Sequence, residues 1–256
     1  MGDEDAATRQ AALESFRALS AARRRVTMDV VLALVGHESE HAREAAVLAL
    51  GEMAEPDDSD ALEALAACLE DASGTRVPGL AAEMLERLMP VASPSLWETV
   101  AARLEHPRAQ VRAAASGLLV HVAGEQPGGL PLVVAAAVRF LGHGDNEVRS
   151  VAAQTLTGVA QYGHADVAKM VVELLYQQDV RIRAAAVSVL ASVGGVVGLS
   201  DPDVVGFVVV PLSSPVWYVR QAALEALGKV CSPGDSSALG HLLAYLADDS
   251  PDVRAA

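Results

Sequence analysis

The stretch Val219-Arg220-Gln221-Ala222-Ala223-Leu224-Glu225-Ala226-Leu227 sets an arginine beside a block of small and large aliphatic residues. Near the N-terminus the same pattern returns as Thr8-Arg9-Gln10-Ala11-Ala12-Leu13-Glu14-Ser15-Phe16. With the arginine as anchor, the copies have their anchors at positions 9, 43, 78, 112, 149, 183, 220 and 254. All of these residues are arginine except Pro78. Successive anchors are 34, 35, 34, 37, 34, 37 and 34 residues apart. Such a nearly constant period indicates a tandem repeat.

Each copy carries apolar residues three, seven and ten positions after its anchor, which is the spacing of one face of an α-helix. A second apolar helix precedes each anchor and ends about eight residues before it, for example at Leu212 and Leu246. One hairpin of two helices cannot cover its own apolar faces, so neighbouring hairpins must stack. The sequence therefore predicts an all-α fold, a right-handed α-solenoid (superhelix) of helical hairpins.

Breaker residues between the predicted helices divide residues 1–256 into the repeats of a single solenoid. Residues 1–25 form the second helix of a partial repeat, and residues 232–256 begin a further one. The complete repeats are predicted at 26–55, 56–90, 91–124, 125–161, 162–194 and 195–231. Neither end has the polar cap that a solenoid needs, so we expect the chain to be a segment of a longer protein; the alternative is that a partner covers its ends.

Two local patterns bear on where the helices lie. Residues 204–210 are rich in β-branched valine and alone would favour a strand, but their register with the other repeats predicts a helix. Asp60-Ala61-Leu62-Glu63 has the spacing of a capping box and predicts a helix start at Asp60.

Composition narrows the possible partners. Hydrophobic residues make up 52% of the chain and aromatic residues 4%, which suits close-packed helices. The net charge of −14 disfavours binding to nucleic acid or to an anionic membrane, because both need clustered cations. Cys68 and Cys231 lack metal-binding spacing and are too few for a disulfide framework, and the acidic N-terminus is unlike a signal peptide. We therefore expect an acidic cytoplasmic protein, and the excess of 17 Arg over 2 Lys favours a GC-rich bacterial source.

The pattern Val-Arg-x-Ala-Ala-x-x-x-Leu resembles the HEAT repeat family, in particular the bacterial type that includes the phycobilisome lyase subunits. The resemblance implies a scaffold or adaptor, since most members bind other proteins and few are enzymes. HEAT repeats often carry an aspartate six residues before the arginine, which can link neighbouring repeats. Only Asp3 and Asp248 match here, and Asp145 and Asp179, two residues later in their copies, are candidate substitutes.

The sequence contains only weak matches to catalytic motifs. His37-Glu38-Ser39-Glu40-His41 matches the H-E-x-x-H pattern of zinc proteases, but His37 aligns with other turn residues rather than with a helix. HEAT-like di-iron hydroxylases need several His-Glu pairs, and only His37-Glu38 occurs. HEAT-like DNA glycosylases need a cationic face. We therefore expect no catalytic residues, no cofactor and no metal, and we interpret the repeated arginines as hydrogen-bond donors to neighbouring turns.

The resemblance also implies that the second helices line a concave binding face, where positions one and five after each anchor point away from the core. This face is expected to lack cations and to suit a protein or peptide partner, and its acidic residues favour a basic one. The adjacent Trp217 and Tyr218 are candidate aromatic anchors. The candidate contact residues are Glu44, Glu83, Ala113, Gly117, Ser150, Gln154, Ser188, Gln221 and Glu225. The predicted function is a non-enzymatic protein–protein interaction scaffold. The alternatives are a lyase-like, enzyme-associated module acting on a protein-bound cofactor and, third, a DNA-processing solenoid.

Overall fold

The computed structural model describes residues 24–55, 58–74, 76–88, 94–125 and 128–256. The partial repeat predicted at 1–25 lies outside these ranges except for its last two residues, and Asp3 lies outside them as well. All regular structure in the described ranges is helical, with no strand among them. The all-α prediction is confirmed.

Thirteen α-helices run through the described residues, and four of them continue into a 3₁₀ turn. The helices are α1 (Arg24–Val35), α2 (Glu40–Met53), α3 (Ser59–Cys68), α4 (Arg76–Leu88), α5 (Pro94–Ala102), α6 (Ala109–Glu125), α7 (Gly129–Phe140), α8 (Asn146–Val172), α9 (Val180–Val197), α10 (Pro202–Val209), α11 (Trp217–Val230), α12 (Ser236–Ala244) and α13 (Pro251–Ala255). The 3₁₀ turns are Arg103–Glu105, Glu173–Tyr176, Val210–Ser213 and Tyr245–Ala247. They lie where the sequence predicts the first helices to end.

The chain forms two compact units, residues 1–103 with 108–118 and residues 104–107 with 119–256. In the first unit α2 packs against both α1 and α4, and α4 also packs against α3. In the second unit α8 packs against α7 and α9, α9 packs against α11, and α11 packs against α13. Within each unit, therefore, successive anchor-bearing helices lie side by side, as stacked hairpins require.

The core is built from the repeated alanine and leucine. Those three and seven residues after the six anchors from position 43 to position 220 are almost completely buried, which removes their apolar surface from water. The small alanine lets the neighbouring helix approach, and the leucine fills the layer beyond it. These buried residues are Ala46, Leu50, Ala81, Leu85, Ala115, Leu119, Ala152, Leu156, Ala186, Leu190, Ala223 and Leu227.

Residues 204–210 are helical, as their register predicts, although their composition favours a strand. Asp201 caps the N-terminus of α10, where its Oδ1 accepts hydrogen bonds from the backbone N–H of Asp203 at 3.1 Å and of Val204 at 3.2 Å. Pro202 occupies the first turn, where a missing N–H costs nothing. Packing of the buried Val204 and Val208 then outweighs the local preference of valine.

Helix α3 begins at Ser59, and its cap is Asp58, whose Oδ1 accepts from the backbone N–H of Ala61 at 3.3 Å. The prediction of a capping box that starts the helix at Asp60 is therefore wrong. Asp58, two positions earlier, caps the helix instead and accepts from the N–H of Ala61 rather than from that of Glu63.

Helix α8 is interrupted at Gly163, whose backbone is extended (φ −175°, ψ 72°). A side-chain carbon at this position would overlap the side chain of Leu130 in α7, so glycine permits the close approach. The interruption turns the chain and places His164 at the start of the second helical segment. None of the helices in the described ranges combines the length and the apolarity needed to cross a bilayer.

Candidate interaction surface

In the described residues, five anchor arginines donate hydrogen bonds to the turn that precedes their own helix. Arg149 Nη1 donates to the carbonyl oxygens of His143 at 2.7 Å and Gly144 at 2.9 Å, which lie in the turn between α7 and α8. Arg183 makes the same pair of bonds to Gln177 and Gln178, at 2.8 and 2.7 Å. Arg43, Arg220 and Arg254 repeat the arrangement with the carbonyls six and five residues before them. Their predicted structural role is confirmed, and this part of each guanidinium is not offered to a ligand.

Two of these arginines also form an ion pair with an aspartate of the next hairpin. In the second unit, Arg220 forms two hydrogen bonds with Asp248, from Nε at 2.8 Å and from Nη2 at 2.6 Å. In the first unit, Arg43 Nε donates to Asp71 at 2.6 Å. Burial alone would raise the pKa of Asp71, but hydrogen bonds from Ser73 and Arg43 hold that pKa below its usual value. Asp71 therefore supplies a link that the sequence pattern did not identify.

The suggested substitutes Asp145 and Asp179 act differently. Asp145 caps α8 by accepting from the backbone N–H of Glu147 at 2.8 Å. Asp179 caps α9 by accepting from the backbone N–H of Arg181 at 2.8 Å. Hydrogen bonds from the side chain and backbone of Arg181 lower the pKa of Asp179 to about 2. The hypothesis that these two aspartates link repeats is wrong, because each serves its own helix.

In the second unit, residues of α9 and α11 line an open groove. Three predicted residues meet there: Tyr218, Gln221 and Glu225. The α9 side supplies apolar and small residues together with one arginine, which the sequence analysis did not include. These α9 residues are Val180, Arg183, Ala184 and Val187.

Arg183 lies over the ring of Tyr218, with its guanidinium carbon 4.5 Å from the ring centroid. At this distance the cation is attracted to the face of the ring. The expectation of a face without cations is therefore wrong for this groove. The spacing of the repeat identifies Arg183 as an anchor. It does not show that the guanidinium also contacts an aromatic ring of the next hairpin.

Trp217 stands beside the groove. Its ring meets that of Tyr218 edge-on, with centroids 5.8 Å apart and an interplanar angle of 80°. Trp217 is 44% exposed and Tyr218 is partly buried. Of the remaining predicted contact residues in this unit, Ser150, Gln154 and Ser188 are exposed, with Ser150 and Gln154 on α8 and Ser188 on α9.

In the first unit, Glu83, Ala113 and Gly117 are exposed as predicted, but Glu44 is not. Glu44 is only 6% exposed, and its Oε1 lies 3.3 Å from Nε of Arg76 on α4. The prediction that Glu44 faces a partner is wrong, because the next anchor-bearing helix covers it. We exclude it from the surface.

The first unit has its own open groove. It lies between the turn that contains Asp71 and Gly74 and the start of α6, with Arg108 and Gln110 on the far side. Arg108 donates to the carbonyl oxygen of Glu70 across it. None of the predicted contact residues lines this groove.

The H-E-x-x-H match does not have the geometry of a zinc protease, which needs both histidines on one helix. His37 lies in the turn before α2, whereas His41 lies within α2. The Nδ1 of His37 accepts a hydrogen bond from the backbone N–H of Ser39 at 3.0 Å. Elsewhere in the described residues, three side chains bring possible metal-binding atoms within 4.8 Å of one another, namely His164, Asp201 and Asp203. Sequence reasoning missed this group because His164 lies 37 residues before Asp201 and the three residues belong to no short motif.

A stack of two-helix hairpins joined by arginine bonds to the preceding turn is the architecture of an α-helical repeat protein. The family model for HEAT repeats matches residues 1–86 and 182–256, more than half of the chain. The chain belongs to the HEAT repeat family. No curated protein sequence matches it significantly.

Solved structures are similar in fold. The karyopherin Kap121p, bound to the extreme C-terminus of the protein phosphatase Cdc14p, matches with a TM-score of 0.50 and 15% identity, over 90% of this chain and 29% of that chain. Importin beta in an ammonium sulfate condition matches with a TM-score of 0.42 and 17% identity, over 89% of this chain and 34% of that chain. An engineered protein matches with a TM-score of 0.34 and 20% identity, over 79% of this chain and 96% of that chain. The chain thus spans about a third of the length of these karyopherin-type structures.

Proposed function

We propose that this chain is a non-catalytic interaction module that binds a peptide segment of a partner protein in the groove between α9 and α11. The observation that carries the proposal is a single open groove that combines an aromatic ring, apolar walls and one exposed carboxylate, with the exposed Trp217 beside it. Peptide sites need this combination, because apolar contact supplies affinity and a few polar groups fix orientation.

The walls of the groove suit aliphatic side chains. Val180 and Val187 on α9 face Tyr218 and Ala222 on α11 across it. Val180 is 64% exposed, so a partner that covered it would remove considerable apolar surface from water. The flat ring of Tyr218 adds a rigid platform that loses little conformational freedom on binding.

The charges in the groove favour a basic segment. Arg183 keeps its positive charge, but its guanidinium already donates to two carbonyl oxygens and lies over the ring of Tyr218. Glu225 is exposed and has no ion pair among the described residues. It is therefore available to a lysine or arginine of the partner, and the chain's net charge of −14 would steer such a partner towards it.

Trp217 extends the surface at one end of the groove. Its edge-on contact with Tyr218 fixes the ring while leaving much of it open to solvent. Tryptophan and tyrosine are common among the residues that dominate binding energy when a partner buries them. The structure of Kap121p bound to the extreme C-terminus of Cdc14p gives one kind of segment that this fold accommodates.

The test is to select peptides from a displayed random library against the full chain and to measure their affinity by calorimetry. We expect selected peptides to combine apolar residues with lysine or arginine. Trp217→Ala and Glu225→Lys should each weaken binding by roughly tenfold, as expected for residues central to an interface. Binding should also weaken as salt is raised, because part of the attraction is between charges.

The matched controls lie outside the groove. Tyr176→Ala removes an aromatic side chain that is 41% exposed, close to the exposure of Trp217. Glu173→Lys reverses an exposed charge on the 3₁₀ turn that follows α8. Both should leave affinity unchanged. Failure to select any saturable peptide, or peptides that bind Trp217→Ala and Glu225→Lys as tightly as the unsubstituted chain, would overturn the proposal.

A further inference from the structure

His164 and Asp201 occupy equivalent positions in successive hairpins, each nineteen residues before its anchor, Arg183 or Arg220. His164 opens the second segment of α8, and Asp201 caps α10, which packs against α8. Because the hairpins stack, equivalent positions face each other. The Nε2 of His164 accordingly lies 3.7 Å from Oδ1 of Asp201.

Asp203, in the first turn of α10, completes a group of three. One ligand atom from each of the three side chains lies within 4.8 Å of the other two. The Oδ1 of Asp201 receives the two backbone N–H bonds of the helix cap, while its Oδ2 carries no such bond. His164 and Asp201 are partly buried and Asp203 is exposed, so the group is both held in place and accessible.

The charges around this group differ from those around Asp179 and Asp248, two aspartates in the turns before α9 and α13. Asp248 is paired with Arg220, and Asp179 with Arg181. In the part of the chain that the structure describes, the one positively ionisable partner of Asp201 or Asp203 is His164. Two carboxylates therefore lie together without an arginine or lysine to offset them, next to an imidazole nitrogen that can bind a metal when neutral.

We propose that His164, Asp201 and Asp203 form a binding site for a divalent first-row transition metal ion, with Zn²⁺ as the probe. One imidazole and two carboxylates are ligands that zinc accepts, and small side-chain rotations would bring the three atoms to the bond lengths of about 2.0–2.2 Å that zinc requires. Mg²⁺ and Ca²⁺ prefer oxygen ligands alone, so the histidine selects against them. The bound ion joins two successive hairpins and stabilises their stacking, because it binds only when both are folded.

The test is calorimetric titration of the whole chain with ZnCl₂ in a buffer without chelating groups, with thermal unfolding as a second readout. We expect one equivalent of zinc to bind and to raise Tm. His164→Ala and Asp203→Asn should each weaken zinc binding by at least roughly tenfold, the lower end of what loss of even an outer-shell partner costs. Asp201→Asn should do the same while the cap remains, since asparagine caps helices as well as aspartate does.

The controls separate this site from the other histidine motif and from a loss of folding. A variant with both His37→Ala and His41→Ala should bind zinc as the unsubstituted chain does, and Mg²⁺ should not raise Tm. Asp203 is exposed, so Asp203→Asn should fold normally, which circular dichroism can verify. Absence of saturable zinc binding, or binding that Asp203→Asn leaves intact, would overturn the proposal. The site does not depend on the peptide groove, so either can fail alone.

Discussion

Arg220 and Asp248 meet fork to fork, with Nε–Oδ2 and Nη2–Oδ1 distances of 2.8 and 2.6 Å, and so join α11 to the turn before α13. The side chains are 15% and 7% exposed, which protects the pair from competing water. The same guanidinium bonds the carbonyls of Ser214 and Pro215, so one side chain connects three segments. A planar, bidentate group suits this position, and lysine would not replace it.

Asp248→Asn should lower Tm by a few degrees near neutral pH. The hydrogen bond from Arg220, aided by the backbone N–H of Ser250, lowers the pKa of Asp248 below its usual value. A carboxylate with a lowered folded-state pKa stabilises the protein above its unfolded-state pKa of about 3.9, and this stability is lost as pH falls through the folded-state pKa. Thermal unfolding should therefore show the difference between the two proteins shrinking below about pH 4.

Asp249→Asn is the control for this measurement, because the neighbouring Asp249 side chain is exposed and outside the ion pair. Its Tm should follow that of the unsubstituted chain at every pH. A difference for Asp248→Asn that stayed constant down to pH 2 would contradict the account.

Arg149→Met should destabilise the chain by roughly 1–2 kcal/mol, since it removes charge-assisted hydrogen bonds to the preceding turn while keeping an aliphatic stem. Arg149 donates to His143, Gly144 and the side chain of Asn146. Urea unfolding measures the change. Arg139→Met, at an exposed position near the end of α7, should change stability by less than about 0.5 kcal/mol. Equal effects of the two substitutions would count against a structural role for the anchors.

Gly51→Ala should destabilise the chain even though alanine is the better helix former. An added side-chain carbon at Gly51 would overlap the buried side chain of Met84 on α4, and overpacking of this kind costs about 1–3 kcal/mol. Gly117→Ala is the matched substitution, because nothing lies within 4 Å of the added carbon on α6. It should stabilise by roughly 0.5–1 kcal/mol. Urea unfolding that gave both the same sign would show that α2 and α4 are not in close contact.

Cys68 should react slowly with a thiol reagent in the folded chain. Burial, together with the nearby charge of Asp71, raises the pKa of the Cys68 thiol to about 11. Since the thiolate is the reactive form, little of it is present at pH 8. Cys231 is also buried with a raised pKa. Absorbance with an aromatic disulfide reagent should show two thiols reacting quickly only after denaturant is added, and fast reaction of Cys68 in the folded chain would contradict its placement.

The sequence predicts which residues form helices and which face the core, because both depend on a period that repeats through the chain. The case of residues 204–210 shows its strength, since register predicts the helix where valine content favours a strand. The pattern fails where contacts between hairpins decide whether a side chain is exposed. Glu44 occupies a position that repeats as exposed, yet Arg76 covers it, because the length of each side chain rather than the period sets such contacts.

The candidate site divides in the same way. Tyr218, Gln221 and Glu225 were predicted to share a surface, because they lie on one stretch of α11 at helical spacing. The cation over Tyr218 and the group formed by His164, Asp201 and Asp203 come from different repeats. His164 and Asp201 each lie nineteen residues before their anchors. Comparing equivalent positions of successive repeats in this way is what could have indicated that these two residues lie close together.

The central claim is that partners bind between α9 and α11. The direct measurement is photo-crosslinking with the highest-affinity selected peptide, using benzoylphenylalanine at Ala184 in the groove and, separately, at the exposed Lys169 on α8. The account predicts a crosslink from position 184, assigned by mass spectrometry to the peptide and abolished by excess unlabelled peptide, with none from position 169. Crosslinking from position 169 and not from position 184 would contradict it.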